Sequence, residues 1–147
     1  MEGISGIWII DEKGVALFSY ELFSQGSQEV DSVLMQGLIL SIEKFANKLG
    51  EKQTERIELG KTKILLSKDA ETKIVFAIKA DQQANNKTVS KLLNKIQIDF
   101  IKSFKPYFNK YDPQDLRLYI SNIFKTYIEN LLKTTGKDRI AEFFEKT

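Results

Sequence analysis

Residues 4–22 read ISGIWIIDEKGVALFSYEL, and this pattern indicates how the chain begins to fold. Residues 4–10 are rich in β-branched side chains and too few for a good helix, so they predict a strand. Residues 11–14 then supply a polar turn, in which Gly14 suits a positive φ. Because residues 15–22 resume an extended pattern, we predict that the chain opens with a β-hairpin.

Apolar residues next recur at helical spacing and predict a first helix over residues 31–49, which Gly50 ends. Three extended segments follow at residues 54–59, 62–67 and 72–80, and short polar turns separate them. This part of the chain is therefore predicted to form a three-stranded meander.

Two long helices are predicted for the last third of the chain. Beyond Asn86 an apolar stripe runs from Val89 to Tyr111, and we expect Pro106 to bend this helix. Asp112 and Pro113 are typical of a helix start, so a third helix should run from there to about residue 135. Residues 137–146 are predicted to form a short last helix.

Several predicted strands, such as residues 7–10, 64–66 and 74–78, are apolar throughout, which indicates a sheet covered on both faces. We therefore predict an α/β (α+β) fold in the order β-β-α-β-β-β-α-α. A five-stranded antiparallel sheet should carry one helix on one face and two on the other, plus the short C-terminal helix. Residues 1–135 should form one domain, with residues 136–147 as a helical extension.

Composition argues against most enzyme classes. The 147 residues include no cysteine, which excludes disulfides and thiolate metal sites, and no histidine, the commonest general base and metal ligand near neutral pH. The opening apolar run is too short and wrongly flanked for a signal peptide or membrane span. We expect a cytoplasmic protein that is not an enzyme and needs no metal or other cofactor, with peripheral contact at a membrane left open.

The hairpin IWIIDEKGVALFS at residues 7–19, the meander at residues 60–81 and the element order resemble the longin domain, a relative of the profilin-like and roadblock folds. The resemblance spans residues 4–133. It implies a protein-binding role, because longin domains bind small Ras-like GTPases, partner subunits or peptides in trafficking and adaptor complexes of eukaryotes and related archaea. This sequence lacks SNARE heptads, so the resemblance favours an adaptor-like or GTPase-associated subunit, within a homo- or hetero-oligomer or alone.

If longin topology holds, the strand at residues 54–59 lies at a sheet edge beside the first helix, and its unpaired backbone offers a docking surface for another protein. The candidate protein-binding residues are Val33, Gly37, Leu40, Glu55, Ile57 and Leu59.

A second candidate surface is a ridge of lysines on the second helix, all within roughly 80° of arc at 100° per residue. Its members are Lys87, Lys91, Lys95, Lys102 and Lys105. A solvated helix face and a contact with an anionic lipid surface or acidic partner both fit this pattern. Nucleic acid is not expected, because arginine is scarce and no aromatic residue interleaves the ridge.

Two other patterns have simpler interpretations. Residues 59–62, LGKT, look like the end of a phosphate-binding loop but lack its first glycine, since Glu55 stands there, and its helix, so we predict a turn. The aromatic residues of the last two helices fit core packing, while a ligand pocket between them is the alternative. That alternative would make the protein a sensor of small ligands.

Overall fold

The computed structural model describes residues 3–21, 37, 40–41, 44 and 55–133, except for the side chains of Glu55 and Leu59. Its strands are β1 (Ile4–Ile10), β2 (Ala16–Glu21), β3 (Glu55–Leu59), β4 (Thr62–Lys68) and β5 (Val75–Asp81). They form one antiparallel sheet in the order β2-β1-β5-β4-β3. The five-stranded antiparallel sheet predicted from the sequence is confirmed, with β2 and β3 at its edges.

The opening hairpin is built on the side chain of Asp11. Its carboxylate accepts hydrogen bonds from the backbone amides of Lys13 and Val15, both at 2.9 Å. Gly14 adopts φ +91°, a conformation that favours glycine and that the turn was predicted to need. The polar turn therefore folds β2 back on β1, in the register that pairs Trp8 with Ser19.

Two long helices, α1 (Asn86–Phe104) and α2 (Pro113–Lys133), pack on one face of the sheet. Asn85 caps α1 by accepting a hydrogen bond from the Thr88 amide at 3.0 Å, and Asp112 accepts one from the Asp115 amide at 2.8 Å. The predicted starts of both helices are thus confirmed. Between helices and sheet lies an aromatic core whose rings meet edge-on, with Phe100 contacting Phe76 and Phe124 at centroid distances of 5.6 and 5.3 Å.

The opposite face of the sheet carries a second, smaller apolar cluster. Its buried members are Trp8, Ile10, Ile64, Leu66, Val75 and Ala77. Leu40, at a helical position, packs against this cluster and is half-buried, as is Ile57 of β3. Because Leu40 lies opposite α1 and α2, the sheet has helical structure on both faces, as the uninterrupted apolar strands predicted.

The end of α1 differs from the prediction. The apolar stripe continues to Tyr111, yet the helix ends at Phe104 and a 3₁₀ turn covers Lys105–Tyr107. Pro106 was expected to bend the helix, and it ends it instead, because proline lacks the amide that another α-helical turn requires. Tyr107 and Tyr111 therefore lie in the connection between α1 and α2.

Most of the predicted first helix and the short C-terminal helix lie outside the described residues, and so does Val33. Only Gly37, Leu40, Ser41 and Lys44 of the first helix are described, all in helical conformation. Of the helices in the described part of the chain, none combines the length and apolarity needed to cross a bilayer.

Candidate interaction surfaces

The β3 edge is the first candidate surface. In the described chain β3 pairs only with β4, which leaves its outer backbone groups without a strand partner. Arg56 and Glu58 point to the same side of the strand and form an ion pair at 3.3 Å, with both side chains about half exposed. Glu58 also accepts a hydrogen bond from the Gln82 amide group. The edge is therefore charged on one side and carries Ile57 on the other.

The described helical residues on the side of the second apolar cluster form two groups. One group points toward the sheet and the other points to solvent. Leu40 points inward, close enough to Gly14 that a Cβ there would lie 2.8 Å from its Cδ1. Gly37, Ser41 and Lys44 are exposed, at a spacing that places them on one stripe. A Cβ at Gly37 would meet no atom within 4 Å, so this position is open to an approaching partner. Gly37 is thus accessible, whereas Leu40 and Ile57 are half-buried against the second apolar cluster.

The turn between β3 and β4 has the conformation expected of a hairpin. Gly60 adopts φ +64°, and β4 begins two residues later at Thr62. A phosphate-binding loop would lead into a helix, so the interpretation of this motif as a turn is confirmed. Within the described residues, no group of three or more acidic side chains is placed to hold a metal ion.

The opposite edge of the sheet borders a shallow open groove of about 330 Å³ between β2 and α2. Its walls are Ala16–Ser19 of β2 and Gln114, Arg117, Leu118 and Ser121 of α2. The aromatic rings of the two helices contribute little to this groove, because they pack on one another: Phe104 contacts Phe100 and Phe124 at 5.0 and 5.7 Å. In the part of the chain described, these ring contacts are those of core packing.

A polar contact ties α1 to α2 beside the core. Tyr127 donates its hydroxyl to Asp99, which also pairs with Lys95 at 3.1 Å. Burial by itself would raise the pKa of Asp99, but the hydrogen bonds from Tyr127 and Lys95 outweigh it and hold that pKa below its ordinary value. Burial and the neighbouring Asp99 carboxylate raise the pKa of Tyr127. The hydroxyl therefore stays protonated, and this contact acts as a structural clamp.

The five ridge lysines lie on α1 and the 3₁₀ turn after it, and all five are exposed. Lys95 pairs with Asp99, and Lys105 pairs with Glu71 of the turn before β5 at 2.5 Å. Ile98 lies within the same arc and is 63% exposed. Sequence reasoning missed this isoleucine, although its position at 100° per residue places it among the lysines.

Sequence reasoning also missed a buried lysine. Lys63 of β4 is 2% exposed, and its ammonium group donates hydrogen bonds to the backbone carbonyls of Gln82 and Ala84. A buried amine needs such partners, because an unpaired charge is costly to remove from water. Lys63 therefore anchors the connection between β5 and α1, and it takes no part in the exposed surfaces.

Comparisons with solved structures support the fold. Myxococcus xanthus MglB is similar with a TM-score of 0.54 and 15% identity, covering 70% of this chain and 85% of that one. A Roadblock/LC7 domain from Streptomyces avermitilis has a TM-score of 0.55 and 16% identity, covering 74% of this chain and 88% of that domain. No protein-family model and no curated protein sequence matches the chain. The fold is thus of the roadblock and longin-like type.

Proposed function

We propose that this chain is a non-enzymatic protein-interaction module that binds a small Ras-like GTPase or a partner subunit of a trafficking or adaptor-like complex. The open β3 edge carries this proposal. A strand with free backbone groups can extend its sheet into another protein, and main-chain hydrogen bonds then provide affinity. The longin resemblance and the likeness to a Roadblock/LC7 domain and to MglB support an interaction role at the level of fold.

The chemistry of the β3 edge is suited to selective pairing. Arg56 and Glu58 place opposite charges on one side of the strand, which discourages indiscriminate contact with apolar strands. On the other side, half-buried Ile57 packs on the second apolar cluster, which Leu40 also covers, and Gly37 and Ser41 are exposed on the same helical segment as Leu40. A partner strand with complementary charges would satisfy the backbone edge, and a partner side chain would contact the stripe at Gly37.

The test measures binding of purified Ras-like GTPases from the same genome, each loaded with GDP or a non-hydrolysable GTP analogue. We expect at least one GTPase to bind, and the charge swap Arg56→Glu with Glu58→Arg to weaken it by roughly tenfold or more, because like charges then oppose each other across the interface. The swap preserves net charge and an internal ion pair and loses only the exposed hydrogen bond from Gln82 to Glu58, so the fold should be retained.

A second variant probes the helical stripe. Gly37→Arg adds bulk at an exposed position where a side chain has open space, and it should weaken the same complex without loss of stability. Asn130→Arg on the exposed surface of α2 is the matched control for charge and bulk and should leave binding unchanged. Absence of binding by every GTPase would refute the GTPase proposal, and full affinity in both folded test variants would refute this docking surface.

A further inference from the structure

The outer face of α1 combines positive charge with an exposed apolar side chain. At 100° per residue, Ile98 lies inside the arc formed by the five ridge lysines and opposite the buried stripe of α1. It is 63% exposed, so the core does not account for an isoleucine at this position. On a helix face that contacts only water, this isoleucine would contribute no stabilisation through burial.

Three of the lysines are available to an external partner. Lys95 and Lys105 have their own carboxylates, but Lys87, Lys91 and Lys102 have none within 4.0 Å among the described residues. The two ion pairs are themselves at the surface, where such pairs contribute little and exchange readily. The ridge therefore presents a net positive face.

The parts of the two helices around the ridge are also positively charged and carry further exposed apolar side chains. Residues 86–133 carry nine basic and four acidic side chains, a net charge of +5. At the end where α1 meets α2, Tyr107, Tyr111 and Tyr119 pack together with ring centroids 5.6 to 6.1 Å apart, and the last two are 46% and 38% exposed. Ile123, one turn after Tyr119, is 48% exposed. Lysine, tyrosine and isolated aliphatic side chains thus share the outer surface of the helical layer.

We infer that this helical layer is a peripheral contact surface for a lipid bilayer with anionic headgroups. Lysines would pair with the headgroups, Ile98 and Ile123 would enter the boundary between headgroups and acyl chains, and the tyrosines would lie at the interface, where their mixed polarity is favourable. A nucleic acid would account for the lysines alone, and an acidic protein would need apolar patches that match the isoleucines of both helices. The exposed isoleucines favour the bilayer. The surface lies on α1 and α2, away from the β3 edge, so lipid and protein could be bound together.

The experiment measures co-sedimentation of the full chain with phosphatidylcholine vesicles, with and without phosphatidylserine. Binding should require phosphatidylserine and fall as salt is raised. Replacing Lys87, Lys91 and Lys102 together by glutamine should weaken partition by roughly 100-fold, since each lysine near an anionic membrane contributes about a fivefold factor. The matched control replaces Lys13, Lys61 and Lys73, which lie in turns of the sheet, and should weaken partition much less.

A single substitution distinguishes the bilayer from other polyanions. Ile98→Gln should weaken vesicle binding by roughly tenfold, because an apolar side chain no longer leaves water, and should leave heparin binding unchanged. Since all substituted side chains are exposed, each variant should keep the melting temperature of the parent protein. Failure of the parent to bind phosphatidylserine vesicles, equal losses in the two lysine triples, or an Ile98→Gln variant of full vesicle affinity would each overturn the inference.

Discussion

Replacing Gly6 by alanine would place a methyl group in the space that the Trp8 ring occupies. A Cβ at Gly6 would lie 2.2 Å from Cη2 of Trp8 and 2.7 Å from Cζ3, well inside van der Waals contact. The indole is 2% exposed and belongs to the second apolar cluster, so it cannot move without displacing its neighbours. Overpacking of this kind costs roughly 1 to 3 kcal/mol, and the depth of the overlap places Gly6→Ala near 3 kcal/mol.

The assay is thermal and urea unfolding followed by circular dichroism. For a chain of this length, a loss of about 3 kcal/mol should lower the melting temperature by roughly 6 to 12 °C. The control is the same substitution in a Trp8→Leu background, where the ring is gone and Gly6→Ala should cost less than about 1 kcal/mol. An equal loss in both backgrounds would show that the cost does not arise from the Trp8 ring.

Three further outcomes follow from described contacts. Tyr127→Phe removes the hydroxyl donor to Asp99 and should cost about 1 kcal/mol at neutral pH in denaturant titrations. Because the pKa of Asp99 is lowered in the folded state, the stability difference between parent and variant should be present at pH values above the ordinary pKa of 3.8. It should shrink as the pH falls through the lowered pKa, and a stability difference independent of pH would contradict this role of Asp99. Lys63→Met keeps the buried stem but leaves two carbonyls unsatisfied, so urea unfolding should show a loss of roughly 1 to 3 kcal/mol, and a neutral result would count against the anchor. Gly60→Ala should lower the free energy of unfolding, measured by calorimetry, by about 1 kcal/mol, because residue 60 has a positive φ and a Cβ there meets no other atom. Gly60→Asn should lower it less, and equal losses in the two variants would contradict a purely conformational cause.

The sequence was informative where local chemistry decides the structure. Asp11 and Gly14 specify a turn through an acceptor side chain and a permissive φ, and Asn85 and Asp112 cap helices through their own carboxyl or amide oxygens. The prediction of helices on both faces of the sheet rested on strands that are apolar on both sides. These features depend on residues close together in the chain, so their pattern is visible without coordinates.

The sequence was less informative where partners come from distant segments. Lys63 reads as a surface lysine, and only the approach of the turn after β5 gives its amine two carbonyls. Tyr107 and Tyr111 continue a helical spacing, so the sequence assigned them to a helix that in fact ends at Phe104, and Tyr111 is exposed. The position of β3 at a sheet edge was anticipated, whereas the position of β2 at the other edge required the structure, as did the orientation of Gly37 and Leu40.

Hydrogen exchange with mass spectrometry tests docking at the β3 edge. The chain would be measured alone and saturated with the Ras-like GTPase that it binds most tightly. Docking at this edge should slow exchange in residues 55–59, where a partner strand would satisfy backbone amides, and around Gly37, which a partner side chain would cover, with β2 at the opposite edge unchanged. Protection confined to β2, α1 or α2, with residues 55–59 exchanging as in the free chain, would contradict it.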